Sequence, residues 1–207
     1  MSDPAIEVRP ANQASCEDLQ TVFGTRGDSS RCQCQAFKIR DRDWRSVPIE
    51  ERAFRLREQT DCGHPESLET TGLVAYLDGD AVGWCSVEPR NAYLRLRYTP
   101  VPWAGRAEDK DDGTVWAIPC VLARAGYRRS GVSRALIRAA VDFARERGAR
   151  ALEGYPMIIQ PGEDITWGEL RVGARSAFAD AGFTEVSHPT PRRVVMRIDF
   201  PERVVSG

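Results

Sequence analysis

The sequence predicts an α/β fold of the mixed, α+β kind, with a central sheet flanked by helices, and three stretches carry that prediction. Leu73 to Leu77 and Ala81 to Val87 are apolar, β-rich runs on either side of Asp78-Gly79-Asp80, the pattern of an antiparallel hairpin. Thr114 to Leu122, Val132 to Arg147 and Ala151 to Tyr155 read as strand, helix and strand, which makes a right-handed parallel unit. Phe183 to Val186 and Arg193 to Phe200 add two late strands, the last alternating as a strand with one covered face should.

Taken in order, Ile6 to Arg9 opens the chain as a short strand and Ala14 to Phe23 follows as a helix. Gly24 to Ser30 breaks the period and leads into a polar loop. Pro48 then precedes a second helix over Ile49 to Gln59, with Ala53, Phe54 and Leu56 among charged residues. After the hairpin, Pro89 ends the second arm. Residues 90 to 113, with Pro100, Pro102, Gly105 and the charge run Arg106 to Asp112, form an excursion with some helical turns. It is read either as a solvated connection or as a wall of a substrate pocket. Val132, Ala135, Leu136, Ala139, Ala140, Phe143 and Ala144 make a helical stripe that Gly148 stops with a left-handed cap. Residues 154 to 167 are a second long loop, and a helix from about Gly168 to Ala181 is capped by Gly182.

A chain of 207 residues with 42% hydrophobic residues can bury a full-sized core, and one domain over residues 1–207 is expected. The 29 Lys and Arg against 30 Asp and Glu leave a net charge of −1, which offers no field to gather a polyanion, so nucleic acid is not expected as a partner. Met1-Ser2-Asp3-Pro4 lacks a basic patch followed by an apolar run, and no stretch approaches a membrane span. No membrane partner is expected, and the expected address is cytoplasmic. The six cysteines, Cys16, Cys32, Cys34, Cys62, Cys85 and Cys120, then read as reduced thiols.

The chemistry concentrates in Ala123 to Gly131, the basic, glycine-containing connection between the strand ending at Leu122 and the helix starting near Val132. A helix N-terminus presents unpaired N–H groups and a partial positive charge, so a phosphate placed there gains several hydrogen bonds. Gly131 lets the backbone come close, and Arg124, Arg128 and Arg129 supply positive charge. The alternative is a basic connection that merely begins an ordinary helix. No Lys-Ser or Lys-Thr pair follows the glycine as in a nucleoside triphosphate loop, and the triple-glycine pattern of a dinucleotide fold is missing.

Val115 to Tyr155 resembles the core of the GNAT acyltransferases, in which a strand is followed by Arg/Gln-x-x-Gly-x-Gly/Ala and a long helix. Here the residues are Arg128-Arg129-Ser130-Gly131-Val132-Ser133, with Ser133 in place of the usual Gly or Ala. Gly72 to Val87 resembles the second and third strands of that family, and Ala177 to Phe183 its late helix ending in Gly-Phe, so residues 70 to 200 are covered. Residues 1–70 resemble it only as a strand and helix region, leaving 71–200 as the coenzyme-binding core.

The resemblance implies a splayed pair of parallel central strands with acetyl-CoA as cosubstrate, its pyrophosphate on Arg128 to Ser133. It also implies that the pantetheine arm lies against backbone at a bulge, here Cys120, Val121 and Leu122, with the Val121 amide polarising the thioester carbonyl. Pro119 fits a bulge, although a strand edge would serve it as well. A primary amine of a small molecule or peptide would be the acceptor, attacking the thioester directly, and the sequence leaves room for a homodimer.

Many family members protonate the leaving thiolate with a late-helix tyrosine, where this chain has Phe178. Tyr155, at the end of the neighbouring strand, is the replacement candidate for the acid, and packing is its plainer role. Glu88 is the candidate base, with Glu153 as the other carboxylate, and each also reads as a solvated strand-end carboxylate. The acidic Glu163-Asp164 with Trp167 could recognise a cationic substrate.

Cys32-x-Cys34 and Cys62-x-His64 could satisfy tetrahedral zinc, but their one-residue spacing departs from the usual knuckle, so no metal site is expected. A zinc-organised interaction protein and a catalytically silent acyl-CoA-binding protein remain the rival readings.

Overall fold

The computed structural model describes residues 5–159 and 170–201. A seven-stranded mixed sheet runs in the order β1-β2-β3-β4-β5-β7-β6. Its strands are β1 (Glu7–Pro10), β2 (Leu73–Leu77), β3 (Asp80–Pro89), β4 (Val115–Ala123), β5 (Ala151–Gly154), β6 (Thr184–Thr190) and β7 (Arg193–Asp199). β4 and β5 are parallel, and each other pairing is antiparallel. The helices are α1 (Cys16–Phe23), α2 (Gly27–Cys32), α3 (Ile49–Thr60), α4 (Val132–Glu146) and α5 (Arg175–Ala179).

Side-chain alternation sorts the core into layers. Leu73 and Ala75 of β2 point to the face covered by α4, where they meet Leu136, Ile137 and Ala140. Val74 and Tyr76 point to the opposite face with Leu19, Phe23 and Leu56 of α1 and α3. Gly83 of β3 has no side chain because one there would strike Val132 and Leu136, so it lets α4 settle onto the sheet. A third, smaller cluster of Tyr93, Leu96, Ala117, Tyr155 and Val195 lies under the excursion after β3.

The hairpin turns through Asp78 (φ 52°) and Gly79 (φ 86°), the two left-handed residues that a tight two-residue connection requires. Residues 90 to 113 contain three short 3-10 turns, at Arg90–Ala92, Leu94–Arg97 and Val101–Trp103.

Three expectations are corrected. The polar loop after α1 holds a further helix, α2, which forms despite Gly27 because Ser29 and Ser30 hydroxyls donate to the Phe23 and Gly27 carbonyls. The late helix is α5, five residues long, and starts at Arg175; its expected beginning near Gly168 lies outside the described residues. The cysteines are not all reduced. Cys16 and Cys62 are joined by a disulfide, their Cα atoms 5.2 Å apart, because the end of α3 returns beside the start of α1.

Candidate active site

β4 and β5 pair only from Val115↔Ala151 to Ile118↔Gly154, and β4 then runs on alone on that side to Ala123. On its other side the register shifts between Ser86↔Cys120 and Glu88↔Ala117, so three residue steps on β4 face two on β3. Pro119 falls in that bulge, where a missing N–H donor does no harm, and the edge-strand reading of it is excluded by the central position of β4.

The chain leaves β4 through Arg124, whose amide donates to the Val82 carbonyl at 2.7 Å, and turns at Gly126 (φ 94°). Arg129 (φ 63°) and Gly131 (φ 85°) are both left-handed, and Gly131 is the N-cap of α4. Among the described residues no side chain caps that helix. The Ser130 hydroxyl donates back to the Tyr127 carbonyl, and the Tyr127 hydroxyl donates to Asp80 at 2.7 Å, which ties the loop to the β2–β3 hairpin.

Three cavities follow one another along this side of β4. The first, about 550 Å³, runs from Thr25, Arg26 and Gly27 to Arg124 and Arg128. The second shares Phe23, Asp28, Ser29 and Leu122 with it and reaches Cys32, Cys34, Cys120 and Arg171. Arg171 also lines the third, of about 410 Å³, with Phe37, Arg95, Thr99, Met157, Val172, Arg192 and Arg193. The segment carrying Arg171 crosses the open end of the strand pair: its carbonyl accepts from the Val121 amide at 2.6 Å, and Gly173 accepts from Met157 at 2.9 Å. The Val121 amide, expected to meet a thioester carbonyl, therefore has a partner already.

Residues 35–155 match the profile of the family described as the acetyltransferase (GNAT) family. The chain belongs to that family. Three solved structures share its fold. The ribosomal-protein-alanine N-acetyltransferase from Brucella melitensis is 19% identical with a TM-score of 0.50, covering 94% of this chain and 99% of its own. An N-acetyltransferase from Staphylococcus aureus Mu50 is 13% identical with a TM-score of 0.51, covering 94% of this chain and 98% of its own. The protein yncA from Salmonella typhimurium, solved with its cofactor acetyl-CoA, is 16% identical with a TM-score of 0.52, covering 97% of this chain and 96% of its own. No curated protein matches the sequence. Among the described residues no helix is long and apolar enough to cross a membrane.

Within this GNAT fold, Glu88 and Tyr155 come from the chain segments on either side of β4. Glu88 stands opposite Ala117, and Tyr155 follows Gly154, the last residue of β5 in register with β4. Glu88 is buried and ion-paired with Lys38 at 2.5 Å. Tyr155 is buried too, and its hydroxyl donates to Glu153 at 3.2 Å. Burial and then the Glu153 carboxylate push the Tyr155 phenol well above its ordinary range, so it keeps its proton. Neither residue is among those lining the three cavities.

The reading of Glu153 as a solvated strand-end carboxylate is corrected, because it is fully buried. It accepts from Arg90 at 3.0 Å, from Arg197 at 2.9 Å and from Arg106, and Glu108 bonds the same three guanidiniums. Sequence reasoning missed this cluster, whose five members lie on β3's exit, the excursion, β5 and β7 with no local spacing to join them.

Phe178, which stands where many GNAT enzymes carry their tyrosine, is fully buried and packs edge-on against Phe183, with ring centroids 5.1 Å apart. The zinc arrangement is not assembled. Cys62 is in the disulfide, His64 pairs with Asp61 at 2.8 Å, and among the described residues no group of three His, Cys, Asp or Glu side chains is placed to hold a metal. Cys34 instead accepts from the Trp84 indole at 3.1 Å and sits beside Cys120, whose hydrogen bond holds the Cys34 thiol below its usual range. Glu163, Asp164 and Trp167 lie outside the described residues.

Proposed function

We propose that this chain is an acetyl-CoA-dependent N-acetyltransferase that passes an acetyl group to a primary amine of a small molecule or peptide. The observation that carries the reading is the N-terminus of α4, capped by none of the described side chains and opening where β4 outruns its parallel neighbour, beside the cavity that holds Arg124 and Arg128. A pyrophosphate there would receive hydrogen bonds from the amides of Val132 and Ser133, with Arg128, Arg129, Ser130 and Gly131 around it. The arm of the coenzyme would run along Cys120, Val121 and Leu122, and the second cavity, about 30 Å³, would have to widen to take it. The Salmonella typhimurium structure with acetyl-CoA supports the same cosubstrate.

In the reaction the amine nitrogen attacks the thioester carbon, the carbon–sulfur bond breaks, and the thiolate takes up a proton. Glu88 is the proposed acceptor of the amine's proton and Tyr155 the proposed donor to the thiolate, their positions on either side of β4 supporting the pair. The buried Phe178 favours a second reading, a coenzyme-binding protein without turnover, because α5 supplies no acid there.

Calorimetry with CoA and thiol release from acetyl-CoA over amine classes test both. Binding that falls at least about tenfold on changing Arg128 and Arg129 to Glu, with turnover that Tyr155→Phe and Glu88→Gln reduce, supports the enzyme. Binding without turnover supports the silent reading. No binding at all sinks both.

A further inference from the structure

Three of the four free cysteines, Cys32, Cys34 and Cys120, line the second cavity. Trp84 and Ser86 alternate onto one face of β3, and Cys120 stands opposite Ser86 on β4. The sulfur of Cys34 rests among these three. The Trp84 indole donates to it at 3.1 Å, and because an indole N–H can only donate, the sulfur is the acceptor. Cys120 and Ser86 hydrogen-bond the same sulfur. The backbone that delivers it is strained, since Gln33 (φ 47°) and Cys34 (φ 55°) are two successive left-handed residues without a glycine between them. Such backbone persists where its surroundings fix it, and it collects at functional sites.

A sulfur that accepts several hydrogen bonds is set up as a thiolate. The Cys120 hydrogen bond first, against the cost of burial, and then those of Trp84 and Ser86 hold Cys34 below the ordinary thiol range. The same Cys34–Cys120 bond, with burial, pushes Cys120 well above it, and burial also raises Cys32 and Cys85. One nucleophilic sulfur therefore faces a neighbour that keeps its proton.

We propose that Cys34 and Cys120 form a reversible disulfide on exposure to hydrogen peroxide, and that this link shuts the coenzyme out by pinning the second cavity closed. The Cys34 thiolate attacks one peroxide oxygen, the oxygen–oxygen bond breaks, and the departing hydroxide takes up a proton and leaves as water. Cys34 is then a sulfenic acid. The Cys120 sulfur attacks it, and the Cys120 proton joins the departing hydroxyl as a second water. The two sulfurs have together lost two electrons, which the peroxide has gained. The cavity between them, about 30 Å³, holds a molecule the size of water or hydrogen peroxide.

The effect on the coenzyme rests on the acetyl-CoA reading, in which the arm runs along Cys120 and this cavity widens, and the experiment separates the two. The purified protein is treated with a few equivalents of hydrogen peroxide, cleared with catalase, alkylated without reduction and digested for mass spectrometry, with CoA binding measured by calorimetry before and after. The expected result is a fall from four free thiols to two, a peptide linking Cys34 to Cys120, and a Kd for CoA raised at least about tenfold. Dithiothreitol should undo both the link and the weaker binding. Cys120→Ser should stop the reaction at the Cys34 sulfenic acid, which dimedone traps. The proposal is overturned if Cys34 and Cys120 both stay open to alkylation, if Cys34 links to Cys32 instead, or if the link forms and CoA binds as before. If the untreated protein fails to bind CoA, the coenzyme reading falls, while the linked peptide still decides the cysteine pair.

Discussion

The amide of Val121 donates to the carbonyl of Arg171 at 2.6 Å across the gap where β4 has parted from β5. One hydrogen-bond donor cannot serve the 170–173 segment and a pantetheine arm at full strength together, so a coenzyme seated at Val121 as proposed would displace that segment. Hydrogen–deuterium exchange checks this: CoA should speed exchange in residues 170–174 while the β4 amides stay protected. Slower exchange in both would show that the coenzyme rests on the segment instead of replacing it.

Glu153 is the centre of a buried cluster in which three guanidiniums share two carboxylates. Glu153→Gln leaves Arg90, which is buried, facing Arg106 and Arg197 with only Glu108 between them. Breaking such a buried group by removing one partner costs about 3 to 5 kcal/mol. Thermal and urea unfolding of the variant should show that loss, and a change under about 1 kcal/mol would mean that water reaches the cluster.

Gly154 ends β5 with the Phe178 ring directly over its Cα, and an added methyl would overlap that ring. Gly154→Ala should therefore destabilise by about 1 to 3 kcal/mol through overpacking. Gly154→Ala combined with Phe178→Leu should recover part of it, a coupling that urea titration of the two singles and the double would measure.

Asp112 braces the starts of the two parallel strands. It accepts from the Thr114 amide and hydroxyl at 2.8 and 2.6 Å and from Arg150 at 2.7 Å, and those Thr114 and Arg150 bonds lower its carboxyl to about 2. Its folded value lies below the ordinary 3.8, so the stability it adds is present above about pH 4 and is lost as pH falls toward 2. The stability gap between wild type and Asp112→Asn should close over that window, and a gap constant from pH 6 to 2 would exclude this linkage.

The elements with strict periodicity or an unambiguous turn were legible in the sequence. The β2–β3 hairpin, β4, α4 and the glycine-bearing loop between them lie where patterning and Asp-Gly chemistry predict, because each is specified by residues close together in the chain. What escaped prediction depends on contacts between distant segments. Glu153 gives no local hint that Arg90, Arg106 and Arg197 will converge on it, and Arg95, Arg171 and Arg193 come from three separate stretches. The pairing of Cys16 with Cys62 was equally hidden, since spacing does not disclose connectivity. The six-residue α2 and five-residue α5 are too short to impose a period.

The disulfide turns the first third of the chain into a closed lasso, with Cys16 and Cys62 separated by 46 positions and α2, α3 and the Cys34–Phe37 stretch inside the loop. A ring has fewer ways to be loose than a free strand, which in the chain-entropy picture is worth about 4 kcal/mol to the native state. A reductant should thus lower the melting temperature without touching the sheet, and the wall that carries Phe37 should be the first part of the molecule to wander.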